Sequence, residues 1–220
     1  MKKKIKKIKK NNNTNMIINH IKETFNIYFL CGVLFILGIT IGVIFVNGRT
    51  ESQIENTKQY INESLDTLKN NSTNDTDYHS ISKFKLFKYA LKRNMIVLII
   101  IWILGLTFIG KYILYILLLF YGITFGYTFS SILSVMSFTK GLLFILSSMV
   151  LQNLITIPAI IFLIVQGIKS YNLFSFNHTI NKVTIRYTAY SIVIAILLIM
   201  SAFLESFIST DIIYKISKYL

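Results

Sequence analysis

The sequence is poor in charged residues, and acidic residues are especially few. Asp, Glu, Lys and Arg make up 15% of the 220 residues, and only 9 residues are acidic. A soluble domain of average composition carries roughly 25% charged residues, so this chain does not have the composition of a soluble domain. It also has a single cysteine, Cys31, which excludes an intrachain disulfide and a cysteine-rich metal site.

Catalytic motifs are missing as well. The three histidines, His20, His79 and His178, are far apart in the sequence, and none belongs to a His-Glu-x-x-His motif. The chain has no Gly-x-Ser-x-Gly elbow and no P-loop, and its apolar runs contain no paired carboxylates. We therefore expect a protein that is not an enzyme and that carries no cofactor or metal.

Long apolar runs dominate the chain, since 54% of its residues are hydrophobic. A helix needs about 20 such residues to cross the roughly 30 Å of a bilayer core. The run from Asn94 to Leu133 is too long for one span and suits two, with a tight turn at Lys111, which would be costly at the bilayer centre. The sequence predicts an all-α polytopic membrane helix bundle with five transmembrane spans, at 26–46, 94–110, 112–133, 141–166 and 187–207.

The polar segments define the predicted organisation around these spans. Residues 1–25 form a basic, Asn-rich cytoplasmic tail, and the low-complexity run Asn11–Asn15 within it is predicted to be disordered. Residues 47–93 form a polar loop, residues 94–210 a four-helix transmembrane region, and residues 211–220 a short C-terminal tail. The first span, 26–46, is longer than a signal-peptide core and no small-x-small site follows it, so we expect an uncleaved anchor.

The basic tail sets the predicted orientation. Positive residues favour the cytoplasmic side, so we expect the N-terminus and residue 175 inside, and residue 60 and the C-terminus outside. A lysine-rich tail beside a membrane helix suits anionic lipid better than nucleic acid, and we expect a lipid membrane and no nucleic acid as partner. The lysines of 83–93 fall outside in this arrangement, against the rule, and we expect them to meet lipid headgroups.

Two helices are predicted within the loop 47–93. Apolar residues at helical spacing predict a short helix up to about Asn70. The segment 81–93 is amphipathic, which predicts a helix that lies in the membrane interface and turns down into the second span; the alternative is a plain extension of that span. Its apolar face holds Phe84, Phe87 and Leu91, and its basic face holds Lys85, Lys88 and Lys92.

Two glycine pairs have the spacing that lets membrane helices approach closely. Gly38 and Gly42 form one pair in the first span, and Gly122 and Gly126 form the other in the third. Either pair can join spans within the chain or join two copies of it. Packing within the chain is the preferred interpretation, and a homo-oligomer stays open.

Polar residues in the fourth and fifth spans are the main candidates for a site. Gln152 and Asn153 place two amides at membrane depth, where unpaired polar groups are costly, and Pro158 follows within two turns. Glu205 is an acid inside a span, for which Arg93 and Lys140 are the expected partners. Helix–helix hydrogen bonding is the preferred role of the amides, and a polar passage for a substrate is the alternative.

Four segments of the chain resemble the stage II sporulation protein M family. Phe87 to Asn94, followed by an apolar run with Trp102, resembles the beginning of that family's second span. Gly122 to Gly126 resembles its glycine pair, Leu151 to Pro158 its Pro-Gln-Asn…Pro segment, and Ala202 to Thr210 its terminal Glu-containing signature. Leu151 and Thr210 stand where the family often has proline.

This resemblance implies a role in endospore formation. The family is known for a mother-cell membrane protein that is needed for engulfment and that anchors and localises the peptidoglycan-degrading stage II sporulation proteins D and P at the septum. By resemblance, the loop 47–93 and the bundle would hold those partners, and this chain would break no bond itself. Two other functions stay open, a small transporter or channel component built on Gln152, Asn153 and Glu205, and a membrane enzyme.

Overall fold

A computed structural model shows a chain that is helical along nearly all of its described length, with no strand among the described residues. The backbone is described for residues 2–70, 76–107, 109–136, 138–176 and 180–212, and the side chains for 24–59, 63, 83–107, 109–136, 138–171 and 182–212. The prediction of an all-α polytopic bundle is confirmed. His20, His79 and His178 lie outside the residues whose side chains are described.

The described residues form seven α-helices. They are α1 (Lys2–Asn47), α2 (Glu51–Asn70), α3 (Thr76–Leu106), α4 (Gly110–Val135), α5 (Phe138–Ile145), α6 (Leu151–Phe176) and α7 (Ile180–Phe203). Helix α2 is polar, and the other helices contain the apolar runs of the sequence. A π-helical segment, Leu146–Val150, joins α5 to α6, and a second one, Leu204–Ser209, continues α7. Five stretches are long and apolar enough to cross a membrane, at Thr24–Asn47, Lys83–Leu106, Gly110–Val135, Phe138–Tyr171 and Lys182–Ile212.

Large apolar side chains cover the outside of this bundle. Phe29 and Ile44 on α1, Phe120 on α4, and Ile185 and Ile196 on α7 are each more than half exposed. A water-soluble protein rarely leaves such a continuous apolar surface uncovered. In a bilayer, lipid hydrocarbon chains cover this apolar surface with no free-energy penalty. The surface is therefore the one expected of a multi-pass membrane protein.

The spans alternate in direction, and this places two sets of residues at opposite ends of the bundle. Gly38 lies against Gly122, and Arg49 reaches Ser134, so α1 and α4 run parallel. Lys83 on α3 pairs with Asp211 after α7, so these two helices run antiparallel. We call the two ends of the bundle the Arg49 end and the Lys111 end, after one residue of each.

The core is centred on α6, which packs against α1, α3, α4 and α7. Bulky aliphatic residues of α6 are buried there, and each of the other four helices contributes two or three buried residues to the same cluster. The buried cluster consists of Cys31, Phe35, Leu98, Ile101, Leu114, Leu118, Ala159, Ile160, Leu163, Ile164, Val165, Ile168, Tyr187, Ile194 and Leu198. Because it lies within the spans, dispersion contacts between close-packed side chains hold it together, whereas the hydrophobic effect adds little between helices in lipid.

The two glycine pairs pack against each other within the chain. The Gly38 and Gly122 backbones face one another, and a Cβ atom on Gly122 would meet the Phe35 carbonyl oxygen at 2.5 Å. Gly42 and Gly126 repeat the arrangement one turn further on, against Ile123 and Ile39. Only glycine lets the two helix backbones come this close, so both pairs belong to the α1–α4 contact.

Three sequence expectations meet a different local structure. The disorder predicted for the run Asn11–Asn15 is wrong, since this run lies within α1. No glycine or proline interrupts residues 2–31, and each residue added to an existing helix gains a hydrogen bond. The predicted turn between the segment 81–93 and the second span is absent from α3, which is unbroken from Thr76 because its first glycine is Gly105. The fourth span begins earlier than 141, at Phe138.

Other local predictions are confirmed. The helix expected up to about Asn70 is α2. A tight turn between the second and third spans is present, but it lies between Leu106 and Gly110 rather than at Lys111, which belongs to α4. In this turn the Gly110 amide donates to the Thr107 carbonyl at 3.2 Å. A Cβ atom on Gly110 would overlap the Leu104 carbonyl, so this turn needs glycine.

Candidate functional site: a polar cluster among α3, α6 and α7

The centre of the cluster is an ion pair between two spans. Arg93 Nη2 on α3 donates to Glu205 Oε2, in the π-helical segment after α7, at 2.6 Å. The Glu205 side chain is 14% exposed and the Arg93 side chain 46%. Glu205 lies roughly 10 Å inside the end of its span, by the rise of a helix. An acid at this depth needs a partner, and of the two partners expected from the sequence Arg93 is in place.

Gln152 completes the cluster from a third helix. Its side-chain amide lies against the Glu205 carboxylate from the first turn of α6. With the amide nitrogen facing Glu205, it donates to Oε2 at 2.5 Å and to Oε1 at 3.2 Å, and this orientation matches donor to acceptor. The carboxylate therefore accepts from a guanidinium on one side and from an amide on the other, which ties α3, α6 and α7 together at one level.

Two hydroxyl groups lie one turn deeper, around the backbone of Gln152. Thr156 Oγ1 is 3.0 Å from the Gln152 carbonyl oxygen and Ser201 Oγ is 3.1 Å from it. The two hydroxyls are themselves 2.5 Å apart. Ser201 is buried to 1% exposure, so this contact helps to set the register between α6 and α7 inside the bundle.

Both π-helical segments lie beside this cluster and pack against each other. Leu146–Val150 ends immediately before α6, and Leu204–Ser209 contains Glu205. A π-helical turn holds an extra residue compared with an α-helical turn, and it rotates the side chains that follow it. Such turns are frequent at functional sites, and here they accompany the point where Gln152 and Glu205 face each other.

Towards the Lys111 end, single polar contacts join α3 to α7. Asn94 is 5% exposed, and its Nδ2 donates to the Leu198 carbonyl oxygen at 3.3 Å. Trp102 Nε1 donates to Thr188 Oγ1 at 3.2 Å. These contacts lie along the same pair of spans as Arg93 and Glu205, so polar side chains link the second and fifth spans at three levels.

Tyr187 occupies the crossing of α3, α6 and α7. Its buried hydroxyl donates to the Ile101 carbonyl oxygen at 3.0 Å. The ring lies on Gly105, and a Cβ atom on Gly167 would be 3.1 Å from the hydroxyl oxygen. Two glycines from two helices therefore make room for one tyrosine.

A separate polar contact closes the Arg49 end. Arg49 Nη2 donates to Ser134 Oγ at the end of α4 at 3.0 Å, and Nη1 donates to Thr57 Oγ1 on α2 at 3.2 Å. The guanidinium also lies 5.4 Å from the centre of the Tyr127 ring, within cation–π range. Arg49 thus holds the polar helix α2 against the bundle.

Comparison with known families gives a clear match. The family model described as stage II sporulation protein M matches residues 31–210. The chain belongs to the stage II sporulation protein M family. No curated protein and no solved structure matches it. The matched residues include the second, third and fourth spans in full, most of the first and fifth, and every residue of the polar cluster, so the family assignment covers the candidate site.

The structure brings some of the sequence candidates in this family member together and separates others. Gln152 and Glu205 meet, whereas the half-buried Asn153 side chain makes no hydrogen bond with the described residues. Pro158 lies inside α6, which continues on both sides of it. Asn94 lies one residue beyond Arg93 and bonds a carbonyl of α7. The glycines of the third span, Gly122 and Gly126, belong to the α1–α4 contact instead.

Several residues of the cluster were not candidates from the sequence. Ser201 and Thr156 were overlooked, and so was the role of Arg49. A signal for Ser201 exists, because small polar residues recur on the buried face of the fifth span in this family member. They are Ser191, Ser201, Ser206 and Ser209.

The side chains of the cluster link neighbouring helices by hydrogen bonds and one ion pair. It offers one carboxylate, one guanidinium, one amide and two hydroxyls, each engaged with a neighbouring helix. Among the described residues no group of three His, Cys, Asp or Glu side chains could hold a metal ion. Apart from the contact between Thr156 and the Gln152 carbonyl within α6, the contacts of the cluster join different spans.

Proposed function

We propose that this protein is a non-enzymatic membrane scaffold for endospore formation. It anchors and localises peptidoglycan-degrading proteins, of the kind of stage II sporulation proteins D and P, at the septum during engulfment. Its place is the mother-cell membrane. The observation that carries the proposal is the match of residues 31–210 to the stage II sporulation protein M family.

The polar cluster supports a structural rather than a reactive role. Glu205 is engaged by Arg93 and Gln152, so its oxygens are occupied by donors from two other spans. A general acid or base needs a carboxylate that can reach a substrate. A carboxylate that ties three helices together fits a rigid platform better.

The position and polarity of helix α2 support the proposal that partner proteins bind at the Arg49 end. It is polar, it stands outside the spans, and Arg49 fixes its first turns to Ser134 on α4. Its described side chains from Glu51 to Gln59 are mostly exposed. A polar helix held beside the membrane offers an oriented surface to a protein that works on the cell wall.

Deletion of the gene in a spore-forming host tests the proposal. The deletion strain should fail to thin the septal wall and should stop before engulfment, and normal engulfment would refute the proposal. A tagged copy should recover a wall hydrolase from solubilised membranes. Charge reversal on α2 with Glu51→Lys and Glu55→Lys should reduce this recovery, whereas Lys182→Glu at the Lys111 end should not.

The non-enzymatic part of the proposal has its own test. The purified protein in lipid nanodiscs, incubated with isolated cell walls, should release no soluble wall fragments. A wall hydrolase added to the same sample serves as the positive control. Release of fragments by the protein alone would contradict this part and leave the membrane location intact.

A transporter or channel component is the second candidate, and the polar cluster at membrane depth favours it. Gln152, Glu205 and Arg93 would then contact a solute on its way through the bundle. Flux of a solute into proteoliposomes that is lost with Glu205→Gln would support this function. Equal leakage with the native protein and with Glu205→Gln would speak against it.

A further inference from the structure

A row of lysines occupies the membrane-facing side of α3 at the Arg49 end. Lys85, Lys88 and Lys92 are spaced three and four residues apart, so they share one face of the helix, and all three are exposed. None of them forms an ion pair with another described residue. The row is therefore a strong positive charge without a counter-charge inside the described part of the bundle.

The same face of α3 turns from basic to apolar at Lys92. Ile96, Ile99 and Ile103 continue the row towards the Lys111 end, and each is about half exposed. At the rise of an α-helix, only roughly 21 Å separate Lys92 from Leu106 at the end of the helix. The lipid-facing apolar length of α3 is thus shorter than the roughly 30 Å of a bilayer core.

The first span has no such deficit. Exposed apolar side chains on α1 extend from Phe25 to Phe45, which corresponds to roughly 30 Å. The bundle therefore has a step in its apolar thickness, with α3 on the thin side. A bilayer meets such a step by thinning locally and by lysine side chains reaching up to the headgroups.

Aromatic side chains surround the lysines, as is usual where a helix passes the headgroup region. Phe84 is 53% and Tyr89 66% exposed. The Lys88 ammonium lies 4.9 Å from the centre of the Phe84 ring. The mixture of ammonium groups and exposed rings matches a surface that lies between hydrocarbon and headgroups.

From these observations we propose that the lysine row of α3 binds the headgroups of anionic phospholipids. The three ammonium groups pair with lipid phosphates, while the isoleucines below them contact the acyl chains of the same lipids. The bilayer thins beside α3 as a result, on the leaflet at the Arg49 end. This inference does not depend on the proposed function, because it concerns the protein and lipid alone.

An acidic polypeptide is the other ligand that the charge would suit, but the position of the row favours lipid. The lysines lie directly above lipid-facing isoleucines on one unbroken helix, so any ligand of the lysines lies at the edge of the acyl chains. A phospholipid satisfies the charge and the apolar surface together. A soluble acidic segment would satisfy the charge only.

The single tryptophan of the chain, Trp102, allows a direct test. It lies on α3, roughly 15 Å from Lys92 along the helix. The protein is reconstituted in vesicles with a fixed ratio of phosphatidylcholine to phosphatidylglycerol, and either lipid carries bromine at the ends of its acyl chains, which approach the depth of Trp102 when the headgroups lie at the level of Lys92. Enrichment of the anionic lipid beside α3 predicts about twofold stronger quenching of Trp102 fluorescence by brominated phosphatidylglycerol than by brominated phosphatidylcholine at equal mole fraction.

Two matched variants separate charge from structure. Replacing Lys85, Lys88 and Lys92 together by Gln should make the two brominated lipids quench Trp102 equally. Replacing all three by Arg should preserve the stronger quenching by brominated phosphatidylglycerol, which we call the excess quenching. Soluble glycerol phosphate in the buffer should leave the excess unchanged, since it has no acyl chains. The proposal would be overturned by any of three results. These are equal quenching by the two lipids with the native protein, excess quenching that survives in the Gln variant, and loss of the excess quenching when glycerol phosphate is added.

Discussion

Arg93 and Glu205 face each other across two spans, with Arg93 Nη2 2.6 Å from Glu205 Oε2. The two residues are far apart in the sequence, and each would be costly at membrane depth without the other. Gln152 adds an amide from a third span. The cluster thus makes the relative positions of α3, α6 and α7 depend on one carboxylate.

Removal of that carboxylate should destabilise the bundle. Glu205→Ala leaves Arg93 without its counter-charge, and we expect the free energy of unfolding to fall by about 1–3 kcal/mol, which is less than for a fully buried pair because Arg93 is half exposed. Unfolding in mixed detergent micelles measures the change. Asp211→Ala, which breaks a pair at the helix end where Asp211 is 50% exposed, should cost less than about 1 kcal/mol.

A double-mutant cycle gives the sharper form of this prediction. If Arg93 and Glu205 act as a pair, the loss from Arg93→Ala combined with Glu205→Ala should be smaller than the sum of the two single losses. Strict additivity of the two substitutions would show that they do not interact. The cycle needs only the same unfolding measurement on three variants.

The contact between α1 and α4 should not tolerate side chains on its glycines. Gly122→Ala would push a methyl group into the Phe35 carbonyl, and Gly42→Ala would push one into the backbone at Ile123. We expect each to lower the free energy of unfolding by about 1–3 kcal/mol, as overpacking does. Gly32→Ala is the matched control on α1, since nothing lies within 4 Å of its added methyl group. An equal effect at Gly32 would contradict the assigned contact.

The hydroxyl of Ser201 should contribute to stability, whereas that of Ser209 should not. Ser201 Oγ lies within hydrogen-bonding distance of Thr156 and of the Gln152 carbonyl. Hydrogen bonds between membrane helices contribute about 0.6 kcal/mol on average and up to about 1.7 kcal/mol, so Ser201→Ala should cost an amount in that range. Ser209 Oγ is buried without a partner among the described residues, and Ser209→Ala should be neutral or stabilising.

The docking of α2 should depend on Arg49. Arg49→Ala removes the donors to Thr57 and Ser134, so we expect the protease Glu-C to cut at Glu51 and Glu55 several-fold faster in the folded protein. Arg49→Lys should give an intermediate rate, because an ammonium group cannot bridge both hydroxyls in the same planar geometry. Lys58→Ala, on the same helix, is the control. Unchanged cleavage of Arg49→Ala would show that α2 is held by other contacts.

The sequence predicts the spans well, because each needs only a local run of apolar residues. Charge at membrane depth also predicts the pairing of Glu205 with Arg93, since few other cations lie at the same level. The position of Gln152 against Glu205 was not predictable, because it depends on the register of two helices and on two π-helical segments. A given residue sequence can form either an α-helical or a π-helical turn, so no local sequence pattern distinguishes the two kinds of turn.

The segment 81–93 shows a second limit of local patterns. Lysines on one face, with Phe87 and Leu91 on the other, are compatible with a helix lying on the membrane and with one that continues into a span. Distant contacts decide between the two, namely the Lys83–Asp211 pair and the contact of Phe87 with Phe207. Both join α3 to the end of the fifth span, and neither contact was predicted from the sequence.

The parallel pairing of α1 with α4 has a consequence for how the protein is made. The first span is complete at Asn47, but its glycine-lined partner is complete only at Val135. At a translation rate of about 5–20 residues per second, the ribosome needs roughly 4 to 18 s to add the intervening chain. During that time the first span is in the membrane without α4, its main neighbour. The contact between α1 and α4 can therefore form only after α4 has been synthesised and inserted.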